Sequence, residues 1–281
     1  MKLYRTKSGT IISYEGSYWL SHSSWDSMIN RDHLHQYLRD EIKKLEKDDL
    51  VKGLIEKELL PPIGSQEVWA AGVTYYRSKE ARMDESKVSG GATFYDKVYD
   101  ADRPELFFKS TPHRVVGHND FVYIRKDSTW NVPEPELTLF INSSESIEGY
   151  TIGNDMSSRS IEGENPLYLP QAKTYSRSAS LGPCVYVPSS PISQDTTIAM
   201  EIIRQGKIMY QDNVQINKMK RKHTELTSWL FRECDFPFGC FLMTGTCLVP
   251  PSDFTLAVND VVTITIEGIG TLINRIEMRS R

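Results

Sequence analysis

Residues 129–142 read TWNVPEPELTLFIN, and this stretch places two acidic residues at the start of a strong β-strand signal. Its second half alternates Leu, Thr, Leu and Phe in the manner of a strand. Side chains two positions apart point to the same face of a strand, so Glu134 and Glu136 are expected to present their carboxylates together. From the pair alone, either a bound cation or a solvent-exposed strand edge would account for the two charges.

A third carboxylate follows one hairpin later, in residues 148–160, EGYTIGNDMSSRS. Asp155 comes just after a β-like run and can therefore lie at the end of a strand beside the glutamates. Taken alone, Asp155 would also suit a turn or a helix N-cap. Three converging carboxylates suit Mg²⁺, or alternatively Mn²⁺ or Ca²⁺, much better than zinc. We therefore predict a metal site formed by Glu134, Glu136 and Asp155.

Residues 164–183, ENPLYLPQAKTYSRSASLGP, contain a lysine among apolar and hydroxyl side chains. Beside the carboxylates, the ammonium of Lys173 would stay charged, or desolvation would favour the neutral amine. Either form can transfer a proton or stabilise an enolate. Without such neighbours, Lys173 would be a loop lysine that reaches into solvent. The predicted carboxylate cluster favours the catalytic interpretation.

The composition is that of an ordinary folded protein. With 281 residues, the chain can form one large domain with a smaller attachment. The net charge of -4 argues against a nucleic-acid-binding protein. Its short basic clusters, at 43–44 and 218–222, alternate with apolar residues as on a solvated helix face.

The four cysteines contain no CxxC pair, which indicates free thiols in a reducing compartment. No apolar run has the length of a signal peptide at the start of the chain or of a membrane span elsewhere. We therefore expect a cytoplasmic protein with no membrane partner.

The proline pair at 61–62 is the predicted boundary between a small N-terminal α/β domain, residues 1–65, and a larger domain, residues 66–281. Residues 1–20 have the alternating short runs of a hairpin, and the apolar spacing of residues 31–60 predicts one long helix.

The larger domain is predicted to be mainly β. Residues 66–76 indicate a buried strand, and residues 77–92 a helix leading to a loop that could serve as a lid. After residue 102 come short strands whose spacing indicates a mostly antiparallel architecture. One amphipathic helix, at about residues 218–231, interrupts the series.

The order of six motifs resembles the C-terminal domain of the fumarylacetoacetate hydrolase family, from Val68 to the end of the chain. The motifs are PELFFK, EPELTLF, GYTIGNDMSSR, LPQAK, LMTGTCLVPP and EGIGTLIN. In that family, an E-x-E pair, a downstream ND-x-S-x-R and a later lysine form a divalent-metal site, which matches Glu134, Glu136, Asp155 and Lys173. The resemblance implies an α+β, mainly β fold whose larger domain is a mixed β-sheet roll or barrel.

Residues 98–118 and 164–173 resemble the branch of the family that dehydrates 2-keto-3-deoxy-D-arabinonate. The resemblance implies a hydro-lyase of sugar acid and pentose catabolism. Loss of a C3 proton and of the C4 hydroxyl as water, followed by tautomerisation of the resulting enol, would give 2,5-dioxopentanoate. Lys173 and Glu105 are assigned to the two proton transfers without a fixed order. Glu105 could instead be a surface residue after Pro104.

Four further residues are predicted to bind the substrate. The LMTGT motif would offer backbone and hydroxyl donors from Gly245 and Thr246 to the carboxylate or keto oxygen, and its tight turn is compatible with this role. Lys109 of PELFFK and Gln171 of LPQAK complete the set. The expected partner is a 2-oxo sugar acid, and the resemblance implies a homodimer or homotetramer.

One departure from the family favours a lyase. Its hydrolases often carry G-x-N-Y-x-x-H, whose histidine activates water, whereas residues 72–78 read GVTYYRS, with Ser78 at the histidine position. A hydrolase of an acylpyruvate or of a 2,4-diketo-3-deoxy sugar acid is the main alternative, and an oxaloacetate decarboxylase or tautomerase a more distant one. A non-catalytic sugar-acid-binding protein is the alternative from another class.

Overall fold

A computed structural model describes residues 1–75 and 97–280. The predicted helix and loop at 77–92, with Ser78, lie outside the described residues. The strands are β1 (Lys2–Thr6), β2 (Gly9–Tyr14), β3 (Ser17–Ser21), β4 (Glu67–Gly72), β5 (Glu105–Ser110), β6 (Val115–Val116), β7 (Asp120–Ile124), β8 (Asn131–Val132), β9 (Pro135–Ile141), β10 (Ile147–Asp155), β11 (Ser157–Ser158), β12 (Ala179–Tyr186), β13 (Thr197–Arg204), β14 (Lys207–Gln215), β15 (Cys240–Met243), β16 (Val261–Ile266) and β17 (Gly270–Met278).

The α-helices with both ends in the described residues are α1 (Trp25–Ile29), α2 (Leu34–Glu41), α3 (Lys52–Glu58), α4 (Arg159–Glu164), α5 (Leu169–Lys173) and α6 (His223–Phe231). Short 3-10 turns lie at Asp49–Val51, Pro112–Arg114, Pro166–Tyr168 and Ile216–Lys218. Within the described ranges, the structure has no helix with the length and apolar character of a membrane span.

Two large sheets form the frame of the protein. The ten-stranded sheet has the order β3-β2-β1-β12-β10-β9-β15-β4-β5, with β6 beside β12, and the five-stranded sheet has the order β14-β13-β16-β17-β7. Strands β8 and β11 form a separate pair. The neighbours are antiparallel except for three parallel pairs, which are β4 with β15, β6 with β12, and β7 with β17. The predicted mainly β fold with mixed sheets is confirmed.

Strand β9 lies in the middle of the ten-stranded sheet and is buried at every position. Its Leu137 and Leu139 pack into a core shared with the five-stranded sheet, for example with Ile264. Phe140 points to the other face of the sheet and packs into a second core with N-terminal residues such as Met28. Both faces are therefore covered, and an acidic side chain on this strand has little access to bulk water.

The N-terminal strands extend the same ten-stranded sheet, because β1 pairs with β12. The prediction of one long helix over residues 31–60 was wrong, since two separate helices, α2 and α3, occupy this stretch. Between them, the chain pairs with β3, where Asp48 N–H donates to the Tyr18 carbonyl. This pairing interrupts the helix that the apolar spacing predicted. The domain boundary after residue 65 stays a prediction.

Candidate metal centre

The strand register brings the three predicted carboxylates to one face of the sheet. Glu136 on β9 pairs with Gly153 on β10, and the same antiparallel register places Asp155 across from Glu134. The Asp155 N–H donates to the Glu134 carbonyl at 2.9 Å. One carboxylate oxygen from each of the three residues lies within 4.8 Å of the others, and all three side chains are buried.

Buried cations surround two of the carboxylates. Arg159 donates to Glu134 Oε1 at 2.7 Å, and Lys173 Nζ donates to Glu134 Oε2 at 2.6 Å. Lys173 Nζ also donates to Asp155 Oδ2 at 3.1 Å, while Lys109 Nζ lies 2.5 Å from Asp155 Oδ1. Each of these two carboxylates is therefore held from two sides, which fixes its orientation.

Glu136 has a different environment. Its Oε2 accepts a hydrogen bond from the Gly245 N–H at 2.6 Å. Burial raises the pKa of Glu136 well above its ordinary value, and repulsion from Asp155 and Glu134 raises the pKa further. Burial also acts to raise the pKa of Asp155, but the neighbouring Lys109 and Lys173 ammonium groups outweigh it and hold that pKa below its ordinary value.

The arrangement fits a small hard cation. Three carboxylate oxygens converge on a cavity of about 20 Å³, which is space for a water molecule or an ion. The candidate metal ligands found among the described residues are all oxygen atoms, and a positive charge among them would relieve the repulsion between Glu136 and its two neighbouring carboxylates. The residues that line the cavity are Ala71, Gly72, Val73, Phe107, Glu134, Glu136, Asp155, Arg159, Lys173, Gly245 and Thr246.

Of the two predicted catalytic residues, Lys173 lines this cavity, whereas Glu105 is not in the described lining and contacts Gly72, which is. Lys173, at the end of α5, lines it and donates also to Ser157 Oγ at 2.5 Å. Glu105, at the start of β5, lies against Gly72, where a Cβ added to the glycine would be 1.8 Å from Glu105 Oε2. Because Gly72 lines the cavity, the lack of a side chain at this position lets the Glu105 carboxylate approach the rim of the site.

The four predicted substrate-binding residues separate into two groups. Gly245 and Thr246 line the cavity, although the Gly245 N–H is used by Glu136. Gln171 is exposed on α5, and its backbone carbonyl accepts a hydrogen bond from Arg125. Lys109 is fully buried, and the cavity lining within the described residues does not include it. The described lining therefore includes two of the four residues, and the substrate-binding set stays a prediction.

Three contributions to the site were not predicted. Arg159 and Ser157 hold Glu134 and Lys173, and both belong to the ND-x-S-x-R motif that identified Asp155. The motif was the available signal for these two residues. Gly72 had no such signal, since its role depends on the packing of Glu105 against it.

Gly245 is expected to be intolerant of a side chain. Its φ is +96°, and a Cβ would lie 2.1 Å from Thr74 Oγ1 and 3.0 Å from the Ala71 carbonyl oxygen. Gly245→Ala is therefore expected to displace the loop, remove the hydrogen bond to Glu136 and lower kcat/KM at least about tenfold, with a loss of roughly 1–3 kcal/mol in the free energy of unfolding.

The matched control is Gly206→Ala, in the β13–β14 turn, where φ is +77° but no atom lies within 4 Å of the added Cβ. This variant shares the backbone strain without the clash and is expected to keep wild-type kcat/KM. Equal activity of the two variants, with equal thermal stability, would contradict the role of Gly245.

Comparison with known proteins supports the motif analysis. Residues 68–277 match the fumarylacetoacetate (FAA) hydrolase C-terminal family. The chain is 39% identical over 298 positions to 2-dehydro-3-deoxy-D-arabinonate dehydratase of Saccharolobus solfataricus, with 100% of this chain and 98% of the relative covered. It is 48% identical over 223 positions to a Haloferax volcanii protein named "Probable 2-keto-3-deoxyxylonate dehydratase", with 79% of this chain and 76% of the relative covered.

Among solved structures, 2-keto-3-deoxy-D-arabinonate dehydratase complexed with magnesium and 2,5-dioxopentanoate has a TM-score of 0.84 to this chain. The sequence identity is 34%, and 100% of each chain is covered. The apo form of that enzyme gives a TM-score of 0.85 at the same identity and coverage. The family match spans most of the chain, and the Saccharolobus solfataricus relative aligns along all of it. This chain therefore belongs to the fumarylacetoacetate hydrolase family.

Proposed function

We propose that this protein is a magnesium-dependent hydro-lyase that converts a 2-keto-3-deoxy sugar acid of the 2-keto-3-deoxy-D-arabinonate type to 2,5-dioxopentanoate. The observation that carries the proposal is the meeting of three buried carboxylates and the Lys173 ammonium at one small cavity. Relatives that are named dehydratases of such acids support it, as does the relative whose solved structure holds magnesium and 2,5-dioxopentanoate.

The two names carried by the relatives are chemically compatible. A 2-keto-3-deoxy pentonate keeps only the stereocentre at C4, because C2 is a ketone and C3 is a methylene group. D-Arabinonate and D-xylonate have the same configuration at C4 and therefore give the same 2-keto-3-deoxy acid. One active site can thus act on the 2-keto-3-deoxy acid derived from either sugar acid.

Glu134, Glu136 and Asp155 would hold Mg²⁺, which supplies a Lewis acid for the keto oxygen of a 2-oxo acid and so acidifies the C3 proton. Elimination across C3 and C4 would leave a C3=C4 double bond, which becomes the C5 aldehyde by transfer of a C5 proton to C3 and tautomerisation of the resulting C4=C5 enol. In the elimination, the chain's own residues have two tasks, which are removal of the C3 proton and protonation of the departing C4 hydroxyl. We assign these tasks to Lys173 and Glu105.

The position of Glu105 on β5 supports its assignment. Glu105 and Phe107 share one face of the strand, and the Phe107 ring centroid lies 5.7 Å from Lys173 Nζ. The ring of Phe107 lines the cavity and keeps water away from the Lys173 ammonium. Thr246, also at the cavity wall, offers a hydroxyl group that would orient the substrate carboxylate.

The reaction can be tested by product analysis. Incubation of the purified protein with 2-keto-3-deoxy-D-arabinonate and Mg²⁺ is expected to give 2,5-dioxopentanoate, detected by NMR through its aldehyde proton. Excess EDTA should stop product formation, and added Mg²⁺ or Mn²⁺ should restore it. Release of pyruvate with a second fragment would indicate C–C bond cleavage and contradict the lyase proposal. Full activity in EDTA would contradict the proposed dependence on a metal ion.

The proposal includes a place in pentose catabolism and a homo-oligomeric assembly, both of which rest on the resemblance to the dehydratase branch. Mn²⁺ and Ca²⁺ also suit an all-carboxylate site, and Mg²⁺ is favoured because it is the ion named in the solved structure of the relative.

A further inference from the structure

Lys109 occupies an irregular position in β5. Phe108 pairs with Trp69 and Ser110 pairs with Val68, so β5 contains one residue more than β4 over this step, and that residue is Lys109. A β-bulge of this kind redirects a side chain relative to the regular alternation of the strand, and bulges are frequent beside active sites. The bulge turns the longest side chain of β5 into the protein interior, where Lys109 is fully buried.

The Lys109 ammonium reaches two elements of the metal centre. Its Nζ lies 2.5 Å from Asp155 Oδ1, and it donates to the Met156 carbonyl at 3.0 Å and to the Lys173 carbonyl at 2.5 Å. The ammonium is therefore engaged by one carboxylate and two backbone carbonyls, and Lys109 is not among the described residues that line the cavity.

A second contact joins the same strand to the segment that carries Lys173. The Thr174 hydroxyl donates to the Phe108 carbonyl at 3.1 Å. Together, Lys109 and Thr174 connect β5, which carries Glu105, to the end of α5. Lys109 also connects β5 to the end of β10, where Asp155 lies.

We propose that Lys109 is a positioning residue, which holds the Asp155 carboxylate in its ligand orientation and fixes the end of α5 so that Lys173 reaches the cavity. The proposal rests on the metal-dependent function proposed above. It replaces the substrate-binding role that the sequence predicted for Lys109.

Two opposing effects decide how loss of Lys109 changes metal affinity. The ammonium repels a cation, so its removal alone would strengthen binding. Lys109 does not line the cavity, however, and contacts Asp155 itself. Its removal also leaves the Met156 and Lys173 carbonyls without their donor. Loss of such an outer contact commonly weakens metal binding by about 10–100-fold, and we expect this effect to dominate.

The test is Lys109→Met, which keeps the side-chain length and removes the charge. Mn²⁺ binding, followed by EPR of the free ion in the absence of substrate, is expected to weaken about 10–100-fold. At saturating metal, kcat for the sugar acid should fall at least about tenfold while KM changes less than about threefold, because Lys173 is displaced but substrate contacts remain.

The matched control is Arg5→Met, on β1. Arg5 also donates to two partly buried backbone carbonyls, those of Pro61 and Ile63, but in a part of the ten-stranded sheet remote from β5. It is expected to lower Tm without a change in Mn²⁺ affinity. If Lys109→Met does not fold, Lys109→Gln keeps an amide donor without a charge and should show the same loss of Mn²⁺ affinity.

Wild-type Mn²⁺ affinity and kcat in a folded Lys109 variant would overturn the proposal and leave Lys109 as a core residue. A raised KM with unchanged kcat and Mn²⁺ affinity would also overturn it, in favour of a substrate contact. The Mn²⁺ titration needs no substrate, so absence of dehydration by the wild-type protein would refute the proposed function while leaving this result interpretable.

Discussion

Glu136→Gln is expected to weaken Mg²⁺ binding at least about 100-fold and to lower kcat/KM by about 1000-fold while the fold stays intact. Among the three carboxylates, Glu136 accepts a hydrogen bond from a backbone N–H and is repelled by the other two carboxylates. Glu134 and Asp155 each form ion pairs with two cationic side chains. A Gln side chain has the same shape and can still accept the hydrogen bond from the Gly245 N–H. It removes the charge that a cation would need.

The same substitution should not cost stability in the absence of metal. Burial and two neighbouring carboxylates raise the pKa of Glu136, so ionisation of this side chain costs more free energy in the folded protein than in the unfolded chain. This difference destabilises the folded protein fully above the folded-state pKa, declines as the pH falls below that pKa and is absent below the unfolded pKa. Metal-free Glu136→Gln should therefore unfold at the wild-type Tm or above it at pH 7.

Isothermal titration with Mg²⁺ and thermal unfolding in EDTA measure the two halves of this prediction. The matched control is Asp260→Asn, another buried carboxylate, which accepts two hydrogen bonds from Arg204 outside the cavity. It should show the reverse pattern, with a lowered Tm and unchanged Mg²⁺ affinity. Wild-type Mg²⁺ affinity in Glu136→Gln would remove Glu136 from the metal site.

The clustering of the carboxylates could be predicted because it depends on local rules. A spacing of two places Glu134 and Glu136 on one strand face, and an antiparallel hairpin returns the chain so that Asp155 meets them. Periodicity also identified most of the strands. The clustering of the three carboxylates needs only the sequence between residues 129 and 155.

The errors arose where distant segments decide the structure. Residues 31–60 keep a helical spacing throughout, yet pairing of the connection with β3 divides them into α2 and α3. Strand β14 is hard to recognise from the sequence, because most of its side chains are exposed and polar residues obscure the alternation. Four-residue β15 was too short to recognise before its buried neighbours were known.

The positioning role proposed for Lys109 illustrates the same limit at the site. The motif PELFFK indicated a functional strand, and a lysine in such a motif suggested a substrate contact. The β-bulge that directs Lys109 toward Asp155 depends on the pairing with β4, which lies more than 30 residues earlier in the chain. No pattern within β5 predicts that bulge.

Lys173→Met is expected to lower kcat by about 100- to 10,000-fold, the range that a positioned proton-transfer group contributes. The Lys173 ammonium donates to Glu134, Asp155 and Ser157, and it lines the cavity, unlike that of Lys109. A cation at this cavity would share the oxygens of Glu134 and Asp155 with Lys173. Removal of the Lys173 ammonium should therefore leave Mn²⁺ affinity unchanged or raise it, which is opposite to the effect expected for Lys109→Met.

The comparison of Lys173→Met with Glu105→Gln can also decide which residue removes the C3 proton. In D₂O, a variant without the base should lose exchange of deuterium into C3 of the substrate, whereas a variant without the acid should retain exchange and fail to eliminate water. NMR of recovered substrate measures the exchange. Lys220→Met, which removes a lysine paired with Asp100 outside the cavity, is the control and should keep wild-type kcat. Wild-type kcat in Lys173→Met would exclude Lys173 from both proton transfers.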